Sequence, residues 1–551
     1  MNIVKKYAVL LPPLLLCPRL AHAFDLIGYS FFMPRSQSVD AARELTGWHP
    51  YINKSDQHEL YGAFTVNPVY TQSVRSERIA QSLFGTNILQ VSGSQVLTRG
   101  PNDWLADYFG LSSTFHSIVH IEPMIRNALV DFNFYLGREN WYVRAHVPGV
   151  WTQWSLGLDE QVTSTQTIFP AGYMDTGAVY PGANSFTKAM QGTTTFGQMK
   201  SPLAAGKICG KQTKGGFAEI QWAAGWNFVN QYNGHAGLNL RGSIPAGTRP
   251  TGEYLFEPVV GNGKHPELGI GFTGHVLIWE KDGEQELSFF VDLNMTHQFK
   301  SRQCRSFDFC ASTTGCTIDR CCAPCCTPGP CGTPCFTNQS SCNSDSCCRP
   351  NFCSRYILLK EFGESGSYTN NLIPAVNVTT RRCDVSVDFQ ADLAAMFGYT
   401  YNGFVCDIGY NGWFRSRERI SICGAIPSNT YALKGIQNVA TPDTQETQSH
   451  ATIHGNLFEN QEFVADRSSP VFVQSLNPNS AASPKALTHK FFAYLGYGFE
   501  TKHSGEKRAY VPFFGIGGDI EIEGMNRDST FHPYKNTLSQ WELWLKGGFT
   551  Y

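Results

Sequence analysis

Three aspartates, Asp384, Asp388 and Asp392, recur every four residues, and Arg415, Arg417 and Arg419 recur every two. In an extended strand, residues an even number apart share one face, so each set forms a row of like charge. Folding the rows together about the Asn402-Gly403 turn signal puts Asp388 beside Arg417, within one register step. Lining an aqueous pore, such rows make a transverse field that selects permeants by sign. Facing only each other, they are cross-strand ion pairs worth about a few tenths of a kcal/mol each.

Cysteine is the other reactive type. Of 18 in the chain, thirteen crowd one stretch: Cys304, Cys310, Cys316, Cys321, Cys322, Cys325, Cys326, Cys331, Cys335, Cys342, Cys347, Cys348 and Cys353. Pro324, Pro328, Pro330 and Pro334 interrupt it, so a helix or strand does not survive there. In an exported chain the default is a disulfide-stapled loop, since so little core material must gain its order from cross-links. Thiolates at this density could instead hold zinc or copper(I), but the doublets lack the paired spacing of a zinc ribbon, and no metal is expected.

Export is written at the N-terminus. Lys5 and Lys6 precede an apolar stretch from Tyr7 to Cys17, and Ala21-His22-Ala23 offers a small-residue cleavage site after Ala23. Cleavage leaves 40 basic against 45 acidic residues, a balance of -5, and an odd 17 cysteines. At least one thiol is then free or bonded to another molecule, and the connectivity stays open.

Other catalytic signals are thin. Asp175-Thr176-Gly177 matches the aspartic-protease triplet but has no second copy to supply the paired carboxylate. Nucleophile-elbow, zinc-protease and phosphate-loop motifs are missing from the sequence. The expectation is a protein that is no enzyme and carries no cofactor. Charged residues make up 16%, nearly balanced in sign, which argues against a nucleic-acid partner.

The elements that would position these residues read as long strands of period two. Val385, Val387, Phe389, Ala391 and Leu393 alternate with the aspartates, and Phe404, Cys406, Ile408, Tyr410, Gly412 and Phe414 with Asp407, Asn411 and the arginines. The same pattern makes four further hairpins: 128–136 with 141–147, 220–228 with 236–240, 268–278 with 287–295, and 491–499 with 514–522. A first strand near 60–69 and a last over 538–551 bring the count to twelve, with 12 to 16 the range because 82–91 or 356–373 could add strands. Short turns alternate with long connections, as in a bilayer-spanning barrel. Strands in soluble sandwiches are about half as long. No apolar run reaches the ~18 residues of a spanning helix.

At the C-terminus Trp541, Leu543, Leu545, Gly547, Phe549 and Tyr551 share a face opposite Glu542, Lys546 and Thr550. Here the chain resembles bacterial outer-membrane β-barrel proteins of porin type. The cysteine-rich insertion is similar in style to the major porins of chlamydia-like bacteria. The resemblance implies that Phe549 and Tyr551 form the signal read by the barrel assembly machinery.

The expected architecture is therefore all-β, a closed antiparallel transmembrane β-barrel of about 12 strands with long external loops. Its parts are a signal peptide 1–23, an N-terminal extension 24–57, the barrel 58–551, and a cysteine-rich external loop 299–382. Polar faces would line a lumen too wide for side chains alone to fill, so water or a folded-in segment must occupy it; residues 24–57 plug it or form a periplasmic tail. Trp141, Trp222, Trp226, Trp541, Tyr410, Tyr497 and Tyr551 are candidates for interfacial girdles. The expected function is passive diffusion of small solutes or ions across a bacterial outer membrane. Alternatives are a disulfide-cross-linked structural or adhesive envelope protein anchored by a plugged barrel, and a soluble secreted all-β binding protein. Expected partners are outer-membrane lipid, lipopolysaccharide contacted from Arg415 to Arg419, and identical or disulfide-linked neighbours.

Overall fold

The computed structural model describes residues 29–55, 58–164, 183–309, 352–434, 452–455, 473, 476–499, 510–524 and 538–551. The signal sequence with Ala23, the Asp175 triplet and the cysteines from Cys310 to Cys348 lie outside the described residues.

Twelve long strands form the body: β1 (Tyr61–Val74), β2 (Met124–Arg138), β3 (Trp141–Ser155), β4 (Glu219–Gln231), β5 (Gly234–Pro245), β6 (Glu267–Lys281), β7 (Gln285–Ser306), β8 (Thr380–Tyr401), β9 (Phe404–Arg415), β10 (Ala486–Gly498), β11 (Val511–Glu523) and β12 (Ser539–Thr550). Each is antiparallel to its sequence neighbours, and β1 closes the cylinder against β12, with Phe64 opposite Phe549. All five hairpins and both terminal strands stand where alternation puts them. Turn chemistry fixes the short connections: Asn402 and Gly403 have φ of 47° and 79°, and Asp282 and Gly283 of 57° and 67°, the pair of left-handed residues that a tight hairpin needs. At the seam, Gly62 exchanges backbone hydrogen bonds with Tyr551. The Tyr551 ring lies directly over Gly62, where a Cβ would come within 2.3 Å of it.

Outward side chains are apolar and exposed, among them Val130, Phe134, Leu238, Ile270, Ile408, Phe491, Ile516 and Leu543. On β6 they run from Leu268 to Ile278, about 23 Å of height at ~3.3 Å per residue and ~45° tilt, which matches a hydrocarbon core. Trp141, Trp226, Tyr497 and Tyr551 are exposed at the short-turn rim. Inward side chains are polar and buried, including Asp131, Asn239, Thr273, Asp407, Lys490, Asp519 and Glu542.

The long connections differ from the expected loops: they fold into a cap over the other rim. Helix Ser76–Phe84 and short strands Ile88–Ser92, His116–Ile121 and Leu158–Ser164 pack around Trp104, Phe109, Phe186 and Tyr356 in a hydrophobic core that also takes in Phe32 and, from the barrel strands, Ile125, Trp154 and Val385. Residues 82–91 and 356–373, held open as extra barrel strands, belong to this cap, so the barrel has twelve. The loop expected over 299–382 is also shorter, because β7 and β8 run on as a paired ribbon to Ser306 and Thr380. Asp308 then clamps the two ends of the insertion together. It accepts from the backbone N–H of Cys353 and Arg355 at 3.3 and 3.1 Å and from Arg355 Nη1 at 2.9 Å.

Among the described residues Cys209, Cys304, Cys353, Cys383, Cys406 and Cys423 are free thiols. Of the thirteen cysteines expected to form disulfides, only Cys304 and Cys353 are among the described residues. The first stands in β7 opposite Arg382, and the second is packed in the cap core beside the Arg355 guanidinium.

Candidate functional site: a plugged lumen

The chain from Tyr29 to Asn53 runs through the barrel. It starts in the cap, where the Tyr29 N–H donates to the Ser82 carbonyl and Phe32 packs between Trp154 and Phe256. It ends near the short-turn rim, where the Asn53 N–H donates to the Tyr135 hydroxyl. Of the two options left open for the extension, the described part takes the plug.

Its middle is a five-residue helix, α1 (Ala41–Leu45), capped by Asp40, whose Oδ1 accepts from the Arg43 N–H at 3.0 Å. The opposite end meets Lys546, which donates to the Arg43 and Thr46 carbonyls at 2.6 and 2.5 Å. A cation at a helix C-terminus satisfies carbonyls that lack intrahelical partners.

Around this helix, plug and wall exchange charges. Arg43 reaches Glu542 at 2.7 Å and Asp131 at 3.4 Å. Lys490 bridges Asp40 at 2.7 Å and Asp519 at 3.0 Å. Arg35 lies 2.9 Å from Asn411, 3.4 Å from Asp392 and 3.5 Å from Glu521, with its guanidinium over the Trp413 ring. Lower down, Asp407 accepts from the Gly47 N–H at 2.7 Å and contacts His49 Nε2 at 2.8 Å. Ser36 donates to Glu219 at 2.8 Å, Ser38 bonds the same carboxylate, and His146 Nε2 lies 2.7 Å from the Ser38 carbonyl. Strands β2, β3, β4, β8, β9, β10, β11 and β12 thus each hold the plug by at least one side chain. A gap of about 20 Å³ remains beside it, lined by Arg35, Asp40, Arg43, Lys490 and Glu542, which is room for roughly one water.

The six charges nominated from the sequence part company. Asp392 and Arg415 face inward and are buried, Asp392 against the plug and Arg415 donating to the Met33 carbonyl and the Ser483 hydroxyl. Asp384 and Asp388 face outward, against the pore-lining expectation, because β8 carries a bulge: Gln298 pairs with Val387 while Thr296 pairs with Gln390. One extra residue reverses the faces of everything beyond it, so Val385 and Val387 are buried inside. Asp388 consequently pairs with Arg419 at 2.5 Å, not with Arg417, and Asp384 with Arg302 at 3.0 Å. Arg417 lies in the short break between β9 and the strand Glu418–Ile422, half-buried, and Arg419 is on the outer surface. Phe549 is exposed on the outward face and Tyr551 closes the seam.

Sequence reasoning held the plug as one of two options for residues 24–57 and put Lys546 on the polar face of the last strand, but it named none of the plug's contact residues and missed the wall partners Lys490, Asp519 and Glu521. Their signal was a charge standing in mid-strand wherever the other face was wholly apolar.

No family model and no curated protein matches the chain. Among solved structures it is similar to the TodX deltaS2S3 mutant monoaromatic hydrocarbon channel at a TM-score of 0.31 and 8% identity, covering 96% of this chain and 99% of that one. It is similar to the CymD monoaromatic hydrocarbon channel at 0.24 and 9%, covering 96% and 98%. It is also similar to the outer membrane protease OmpT from Escherichia coli at 0.20 and 6%, covering 89% and 96%.

Proposed function

We propose that this protein is a passive channel of a bacterial outer membrane, resting closed on its own N-terminal plug. The observation that carries the reading is the nature of the plug's attachment. Below Phe32 it is held by hydrogen bonds and ion pairs to the wall, such as Arg43 to Glu542 and Lys490 to Asp40, and its apolar contacts there are split into separate small clusters, Ala41, Ala42 and Leu45 in one and Trp48 and Ile52 in another. Water can replace such contacts once the plug shifts, whereas a continuous apolar core would have to be exposed whole. Solute then passes by size and charge without chemical turnover. An apolar outer belt ~23 Å tall and short turns at one rim support a membrane setting with the cap outside.

The test is uptake by proteoliposomes. Full-length protein should admit small sugars or ions slowly, and weakening the plug should speed entry while leaving a size cut-off. Vesicles that stay tight with both proteins correctly inserted reject the channel. That outcome favours the second reading, an envelope anchor, which the filled lumen also supports.

A further inference from the structure

On the outer face of the barrel, three adjacent strands change chemistry at one height. On β7 the outward aromatic Phe299 is followed toward the cap by Lys300 and Arg302; on β8 Phe389 is followed by Asp388, Asp384 and Arg382; beyond Phe414 on β9 comes Arg419 on the strand Glu418–Ile422. Phe389 and Phe414 form one row, with ring centroids 6.1 Å apart. Phe299 is 45% exposed and Phe389 39%, so this row is the upper edge of the apolar belt.

The cations above the row are brought together by register. Arg382 lies opposite Cys304, Asp384 opposite both Arg302 and Ser421, and Ser386 opposite Arg419. Their side chains are open: Arg302 is 64% and Arg419 74% exposed, and Lys300 and Arg382 are exposed as well. Asp384 and Asp388 each engage one arginine, at 3.0 and 2.5 Å. Four cations against two carboxylates leave a net positive patch at headgroup level on the cap side.

We infer that this patch binds the phosphate groups of a phosphorylated saccharolipid of the outer leaflet. Guanidinium groups pair with phosphate oxygens through two parallel N–H donors, and a basic cluster beside hydrocarbon meets phosphate where acyl chains end. The apolar surface below Phe299, Phe389 and Phe414 would take the acyl chains of the same molecule. This rests on the outer-membrane reading above.

The test uses the full-length protein in detergent and, as probe, lipid A, a glucosamine disaccharide carrying two phosphates and acyl chains. Binding is measured by native mass spectrometry and by the thermal shift it causes. The triple variant K300Q/R382Q/R419Q should bind at least fivefold more weakly, while K281Q, at the opposite rim, should bind as the wild type does. The variant D384N/D388N, which releases Arg302 and Arg419, should bind more tightly. High salt should weaken wild-type binding. Equal binding by wild type and triple variant overturns the inference, as does equal binding of a dephosphorylated lipid A. Failure of the wild type to insert into vesicles would instead remove the membrane reading itself. Normal insertion and conductance with lipid binding indifferent to these charges would remove only this inference.

Discussion

The Lys546 ammonium on β12 donates to the Thr46 carbonyl at 2.5 Å, joining the last strand to a segment 500 residues earlier. The same ammonium takes the Arg43 carbonyl at 2.6 Å. The end of the chain therefore holds down the helix that fills the lumen.

Replacing Lys546 with Met should loosen that helix without disturbing the barrel. Two buried carbonyls lose their donor, each at a cost of ~1–3 kcal/mol. Limited proteolysis should cut within residues 29–53 several-fold faster than in the wild type, while heat-modifiable gel migration of the barrel stays the same.

Arg43→Ala should act more strongly. It leaves Glu542 and Asp131 buried without their cation, and breaking one partner of a buried pair costs ~3–5 kcal/mol. By contrast, Asp388→Asn on the outer surface breaks only an exposed pair with Arg419, worth ~1 kcal/mol or less. Plug proteolysis should separate the two variants clearly, with the second indistinguishable from wild type.

Acid should destabilise the cap through His265. Its Nδ1 donates to the Phe299 carbonyl at 2.7 Å and its Nε2 faces Gln303 Nε2 at 3.1 Å, and burial pushes its pKa down to about 4. The unfolded imidazole takes up a proton near pH 6.5 while the folded one stays neutral, so stability is full above that pH and falls between 6.5 and 4. The loss is up to ~3 kcal/mol. Thermal unfolding of His265→Gln across this window should show a shallower pH slope than the wild type; equal slopes count against the assignment.

The Cys353 thiol should resist alkylation in the folded protein. Burial in the cap core pushes its pKa well up, which outweighs the nearby Arg355 guanidinium, and the thiolate is the reactive form. Mass spectrometry after iodoacetamide treatment should find Cys423, at the cap-side sheet edge, labelled well before Cys353.

Much of this was legible in the chain. Alternation from Leu268 to Ile278 or from Trp541 to Tyr551 specifies both strand and facing, because one apolar face must meet lipid. What escaped is non-local. Period two carries no mark of the bulge near Asp388, where both Asp388 and Phe389 are exposed, so the reversal of Asp384 and Asp388 could not be read from spacing. The partnership of Arg43 with Glu542 spans 499 residues and joins elements that local patterning treats separately. The cap has the same difficulty: Trp104, Phe186 and Tyr356 form one core from three different connections, none of which is strongly periodic alone.

Single-channel recording in planar bilayers reaches the central claim most directly. The wild type should stay closed for most of the record with brief openings, and the variant R43A/K490A, which unlatches Asp40 and Glu542, should be open for most of it at similar unit conductance. A wild type that conducts continuously, or a variant whose open fraction equals the wild type's, contradicts the account.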